Sequence, residues 1–294
     1  MMALSKRNKA VGFRNHCVRI VLVCLFLYLF SFLRGHEVTD GASSLQIIVL
    51  TMNRAECLRQ LLRSLEDAQY GSSVVRLFIR FDHHPEQEEA LQVAERFKFS
   101  HGPKRIHRAN ASRGLANAWF DSWQPSSPKE ISIILEDDIT LSPDWYGWLT
   151  GAWARYSGRD DIAGISLQRQ VLVPAEPHMQ YEIVNDHVPF LYSLVGSIAF
   201  SPSAKRWCEF RRWLQVIDWQ TFDVSTRGLV TSKWWNELDK RHMWTQHFIY
   251  FCLLRDLYTM YINLPNKKTL ATHLRAKGAH YEGDQGADFE LGVV

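Results

Sequence analysis

Three carboxylates, Glu136, Asp137 and Asp138, follow directly on the apolar run ISIIL at residues 131–135. A short isoleucine-rich run of this kind reads as a buried strand, so the three acids stand at its carboxyl end. Adjacent like charges in that position forfeit hydration while facing one another, and a cation relieves them. Hard oxygen ligands suit Mg²⁺ or Mn²⁺. The expected chemistry is a divalent ion that neutralises a diphosphate.

The elements that must position these acids alternate in type. LQIIVLT (45–51), VVRLFIRFD (74–82), KRIHR (104–108) and ISIILE (131–136) read as strands. Between them, residues 55–67, 85–98 and 114–123 carry helical spacing. Such alternation predicts an α/β fold with a mostly parallel sheet and helices on both faces. The second half is less regular. GISLQRQVLVP, GSIAFSP and YTMYINLP read as strands, and 202–214 and 243–257 as helices completing the same layer.

Ligands of open parallel sheets bind beyond the carboxyl ends of the strands. That rule gathers TMNR (Thr51, Asn53, Arg54), DHHP (Asp82), RANASRG (Arg113) and the EDD triplet at one edge. Two of these segments are basic and two acidic, which suits a metal-bound phosphate ester carrying a polar base or sugar. The turn LTMNRAE contains no glycine, which argues against a dinucleotide-binding G-x-G-x-x-G loop, and the sequence has no G-x-x-x-x-G-K-[ST] motif, which disfavours a P-loop nucleotidase.

IIVLTMNRAECLRQLLRSL, IRFD and LEDDITLSPDW together resemble the GT-A fold glycosyltransferases. The likeness is to family 2-type enzymes, and nearest to the N-acetylglucosaminyltransferase I group with its EDD form of the DxD motif. It covers residues 45–150 well and the remainder loosely. The resemblance implies a metal-dependent, inverting transfer of a hexosyl or N-acetylhexosaminyl group from a UDP-sugar such as UDP-GlcNAc to a glycan or glycoprotein. It places Asp138 on the metal, Glu136 at the donor ribose or sugar, and Asp137 in the same turn. Arg54 and Asp82 fall at the uridine, with Thr51 and Asn53 beside them, and Arg113 at the phosphate. GSIAFSP (196–202) falls beside the transferred sugar. In the tail, His273, Lys277 and His280 are available, and His280 is the expected metal or diphosphate ligand.

An inverting transfer needs a general base within reach of the acceptor hydroxyl. The segment where related enzymes carry an Asp reads MWTQHFIYF, which leaves His247 as the expected base, with Asp218, Asp223 and Glu237 as alternatives, and leaves retaining chemistry open. Trp219, Trp234, Trp235 and Trp244 are candidates for an acceptor platform, with core packing as the competing role. A nucleotidyltransferase and a catalytically inactive sugar-binding protein of the same fold remain as other readings.

Residues 1–19 carry Lys6, Arg7, Lys9, Arg14 and Arg19 ahead of the apolar run at 20–33. Positive flank and apolar run predict a cytosolic tail and a signal-anchor, favoured over a cleaved signal peptide. A stem at 34–44 then leads to a lumenal catalytic domain at 45–294, with a nucleotide-sugar half (45–150) and an acceptor half (151–294). A span of about 14 residues suits Golgi or ER membranes. The net charge of +3 gives nucleic-acid binding no support. Cys57, Cys208 and Cys252 allow one disulfide of undetermined pairing, and Asn110 begins a glycosylation sequon. Oligomeric state is left open.

Overall fold

The computed structural model describes residues 45–174, 176–237, 242–274 and 287–294. The tail, anchor and stem expected over 1–44 lie outside the described residues, as do Lys277 and His280. Among the described residues no helix is long and apolar enough to cross a membrane.

In chain order, the first half comprises β1 (Gln46–Thr51), α1 (Ala55–Glu66), β2 (Arg76–Phe81), α2 (Glu88–Arg96), β3 (Lys104–Arg108) and α3 (Gly114–Phe120). It continues with β4 (Ser132–Glu136), β5 (Ile139–Leu141) and α4 (Trp145–Tyr156). The second half runs β6 (Ile162–Ser166), β7 (Leu172–Val173), β8 (Glu176–Gln180), β9 (Phe190–Tyr192), β10 (Phe200–Pro202) and α5 (Ala204–Val216). It ends with α6 (Val230–Glu237), α7 (Thr245–Leu253), β11 (Tyr258–Tyr261) and β12 (Ala271–His273).

Eight strands form one mixed sheet in the order β3-β2-β1-β4-β10-β6-β11-β9. The β3-β2-β1-β4 half is wholly parallel. β10 enters antiparallel between β4 and β6, which ends the run of parallel neighbours. Two small ribbons, β5–β12 and β7–β8, stand apart from it. The segment GISLQRQVLVP, expected as one strand, breaks after Ser166. Its polar centre leaves the sheet, and the Gln170 carboxamide donates to the Tyr261 hydroxyl at 3.1 Å.

Strand residues alternate between two cores because successive side chains point to opposite faces. Ile47, Val49, Ile133 and Leu135 face one layer, and Ile48, Leu50 and Ile134 the other. Leu58, Leu61, Leu62 and Leu65 place an apolar stripe of α1 on the first face, where α2 and α4 also pack. Burying a leucine contributes about 2 kcal/mol, so this stripe alone outweighs the weak N-terminal capping of α1. The second face is aromatic. Trp119, Trp207, Trp244, Phe210, Phe248 and Phe251 from α3, α5 and α7, with Trp244 just ahead of α7, pack there and account for several of the eleven tryptophans.

Gly164 illustrates how tightly β6 meets β10. A Cβ there would lie 2.4 Å from the Phe200 ring and 2.9 Å from the Ser201 carbonyl. Cys208 and Cys252 are free thiols, so the disulfide allowed by the cysteine count does not form among the three. Asn110 lies in an exposed loop after β3.

Candidate active site

Register aligns the carboxyl ends of the parallel strands. Leu50 stands opposite Glu136, Thr51 opposite Phe81, and Phe81 opposite Arg108. The residues just beyond these positions therefore collect at one edge, where a cavity of about 850 Å³ opens. Its walls include Thr51, Asn53, Arg54, Asp82, Glu136, Asp137 and Asp138 from the expected set.

The three carboxylates occupy different environments. Asp137 is 2% exposed; its Oδ2 accepts from the Thr51 hydroxyl at 2.7 Å, and its Oδ1 from the Arg54 guanidinium. Asp138 is 6% exposed, and its Oδ2 receives both Arg54 Nη1 at 2.6 Å and His273 Nε2 at 3.1 Å. Glu136 keeps some contact with the cavity, and its Oε1 accepts from the Trp119 indole at 3.0 Å. Arg54 thus bridges two acids, and His273 continues the chain of charge toward Asp288, 3.7 Å from its Nδ1. Removing one partner of such a buried set leaves an uncompensated charge, at a cost of about 3–5 kcal/mol.

Proton affinities follow from these surroundings. Burial, reinforced by the neighbouring Asp138 charge, pushes Glu136 up to about 7. Burial also raises Asp137, against the pull of Arg54 and Thr51. Burial acts the same way on Asp138, but the His273 hydrogen bond and the Arg54 charge outweigh it and hold this carboxylate below its ordinary range. Burial alone would lower His273; its bonds to Asp138 and Asp288 prevail and lift it to about 9.

His273 reaches the site through the β5–β12 ribbon. The antiparallel register pairs His273 with Ile139, and the Leu274 N–H donates to the Asp138 carbonyl at 2.8 Å. The EDD turn is thereby clamped from the far end of the chain. Of the three tail residues, His273 is the one whose position is described, and it contacts the acid expected to hold metal.

Asp82 serves the loop before α3. Its carboxylate accepts from the backbone N–H groups of Arg113 at 2.8 Å, Gly114 at 3.0 Å and His83 at 2.9 Å. Gly114 adopts φ 77° there, a conformation open to glycine. The Arg113 side chain, expected at the phosphate, is turned away: it ion-pairs with Asp121 and does not line the cavity.

The structure also corrects the expected base. His247 is fully buried, its Nε2 lies 2.7 Å from the Trp219 carbonyl, and its ring packs beside Phe120, Trp219 and Trp235. The first turn of α7 directs it into the aromatic layer, so it is absent from the cavity wall. Asp218, Asp223 and Glu237 do not line the cavity either. Asp218 and Asp223 accept hydrogen bonds within their own turns.

Trp235 is buried and Trp219 packs on Phe120, so neither forms an open platform. Trp244 lines the cavity with its ring stacked 4.0 Å from Trp119. Sequence reasoning missed Trp119, Arg80, His84 and His242, all at or beside the cavity wall, because no local pattern distinguishes them. Ser197 and Ile198 form the wall on the GSIAFSP side. There, Gln168 Oε1 accepts from the Ile198 N–H at 3.0 Å, and Ala199 is held at φ 56°, the left-handed region where a side chain is strained.

Among the described residues no cluster of three or more His, Cys, Asp or Glu side chains converges as a metal cage. Mg²⁺ and Mn²⁺ do not require one, since they bind through one or two carboxylates with phosphate oxygens and water. Asp138 is a hard-oxygen ligand on the cavity wall, and a guanidinium already stands as a cation beside it. The donor set fits a divalent ion on those terms, and Asp138 would be the residue to hold it.

Fold and site together define an α/β protein with a polar cavity at the carboxyl edge of its parallel strands. The chain belongs to the family described as SPBC1E8.03c C-terminal domain, whose family model matches residues 56–215, more than half of its length. No curated protein matches the sequence.

Solved structures similar to the chain include S. aureus TarS 1–349, at 11% identity over 77% of this chain and 59% of that one, with a TM-score of 0.47. The same protein in complex with UDP-GlcNAc matches at 13% identity over 45% and 38%, with a TM-score of 0.35. The mannosyltransferase PcManGT from Pyrobaculum calidifontis, in complex with GDP-Man and Mn²⁺, matches at 15% identity over 49% and 43%, with a TM-score of 0.34. The chain spans less than two thirds of the length of each.

Proposed function

We propose that the chain is a glycosyltransferase that moves a hexosyl or N-acetylhexosaminyl group from a nucleotide sugar, UDP-linked, to a glycan or glycoprotein acceptor. The observation that carries this reading is the convergence of Glu136, Asp137 and Asp138 with Arg54 and Asp82 on one cavity at the carboxyl edge of β1, β2 and β4. The cavity of about 850 Å³ has the size of sites that enclose a ligand as large as a nucleotide sugar. Asp138 would hold a divalent cation, Mn²⁺ or Mg²⁺, which when bound would supply Lewis-acid stabilisation of the departing diphosphate. Arg54, Asp82, Asn53, Ser197 and Ile198 line the same cavity; in this reading Arg54 would face the diphosphate, Asp82 and Asn53 the nucleoside, and Ser197 and Ile198 the sugar. The apolar run at 20–33 would anchor the enzyme as a type II protein of the Golgi or ER membrane, with the catalytic domain lumenal.

Calorimetric titration of UDP into the chain in Mn²⁺, then in EDTA, and again with Asp138→Ala, tests the donor site. Binding that requires both metal and Asp138 supports it; failure of UDP and of GDP alike removes the reading. One observation favours a second reading, a sugar-nucleotide-binding protein without turnover: none of the acids or histidines expected as base lines the cavity. UDP-sugar binding with neither hydrolysis nor transfer across an acceptor panel would select it.

A further inference from the structure

We propose that Arg54 and the divalent cation compete for Asp138, so that Arg54 is the cation of the carboxylate pair until a nucleotide diphosphate draws it away. The inference rests on the donor-site reading above and concerns how that site is kept intact between substrates.

Both oxygens of Asp137 are engaged, by Thr51 and by Arg54. Asp138 Oδ2 carries Arg54 and His273 together. A second full cation at the same oxygen would stand within a few ångströms of the guanidinium, where like charges repel strongly in a poorly hydrated setting. Withdrawal of Arg54 from Asp138 would remove that repulsion and open Oδ2 to a divalent ion.

Arg54 has the freedom to do so. Its side chain is 29% exposed, whereas those of its partners are 3% and 9% exposed, and it lines the open cavity. It leaves the backbone at the residue just before α1, a 12-residue helix whose N-terminal amides lack a side-chain cap. A diphosphate entering there meets those amides and offers the guanidinium a bidentate partner at least as good as two separate carboxylates. Asp137 keeps the Thr51 hydroxyl after the exchange, and Asp138 keeps His273. The arrangement predicts that metal and nucleotide bind with positive coupling, and that Arg54 is the origin of the coupling.

The test is Mn²⁺ binding to the full chain, followed by electron paramagnetic resonance of the free ion, with and without UDP. Arg54→Met should bind Mn²⁺ about tenfold more tightly than the wild type when no nucleotide is present. UDP should tighten Mn²⁺ binding to the wild type by a similar factor and affect the variant much less. Adding Asp138→Asn to the variant should erase its gain. Arg54→Lys, which keeps the charge but cannot bridge both acids, should fall between and serves if Arg54→Met does not fold. Equal Mn²⁺ affinity in wild type and Arg54 variants, or tighter binding to the wild type, overturns the proposal. UDP that binds no form of the protein overturns the donor-site reading instead, while the nucleotide-free comparison still decides the competition.

Discussion

The Trp119 indole donates to Glu136 Oε1 at 3.0 Å, joining α3 to the end of β4. That bond favours the charged carboxylate, whereas burial and the Asp138 charge favour the neutral acid. Trp119→Phe keeps most of the stacking on Trp244 and deletes the donor. Glu136 should then titrate above its present value of about 7, and stability should drop by about 1–3 kcal/mol. Carboxyl-selective NMR titration and chemical denaturation read the two effects. A downward shift would contradict the assignment.

Asp82 gathers three backbone N–H groups around the entry to α3. Asp82→Ala should cost about 1–2 kcal/mol in urea denaturation without any nucleotide present, as loss of a helix cap does. Asp82→Asn, which keeps one acceptor oxygen, should cost less. Equal stability of all three proteins would leave Asp82 with no structural part.

The pH dependence of the metal-free protein has a definite sign. Glu136 is raised from 4.5 to about 7, so its favourable contribution is complete below pH 4.5 and lost as pH rises through 7. His273 is raised from 6.5 to about 9, so its contribution is complete below pH 6.5 and lost through 9. Asp138 is lowered, and its contribution is present above 3.8 and lost on further acidification. The cluster should therefore weaken steadily from mildly acidic to alkaline pH, by about 2 kcal/mol for each of the first two groups after screening. Melting temperatures in EDTA should show Glu136→Gln flattening the lower limb and His273→Gln the upper.

Gly196 packs tightly just before Ser197 and Ile198, which line the cavity. A Cβ there would lie 2.5 Å from the Gln168 carboxamide and 2.8 Å from the Ser166 hydroxyl. Gly196→Ala should push Gln168 off the Ile198 N–H and destabilise the chain by about 1–3 kcal/mol. Within the donor-site reading it should weaken UDP-sugar binding more than UDP binding. Equal loss for both ligands would remove the wall from sugar recognition.

The parallel half of the fold was legible because β1, β2 and β4 are short apolar runs between amphipathic helices, and their carboxyl ends follow from that alternation. The antiparallel insertion of β10 was not, since strand order across a sheet depends on partners distant in sequence. GISLQRQVLVP misled because its ends are apolar while its polar centre turns out of the sheet toward Tyr261. At the site, strand-end position was enough to gather the EDD triplet with Arg54 and Asp82 on one edge. Side-chain direction was not readable. Arg113 turns toward Asp121 rather than the cavity, and His247 faces an aromatic layer that only tertiary packing creates.

The β5–β12 ribbon brings together residues 135 positions apart, Asp138 and His273. During synthesis on the ribosome, the sheet strands up to β11 emerge before His273 does. The acidic turn must then wait with only Arg54 as counter-charge, and loop closure of this length is slow to achieve. A chain stalled before residue 271 would lack the His273 contact to Asp138 and keep that of Arg54.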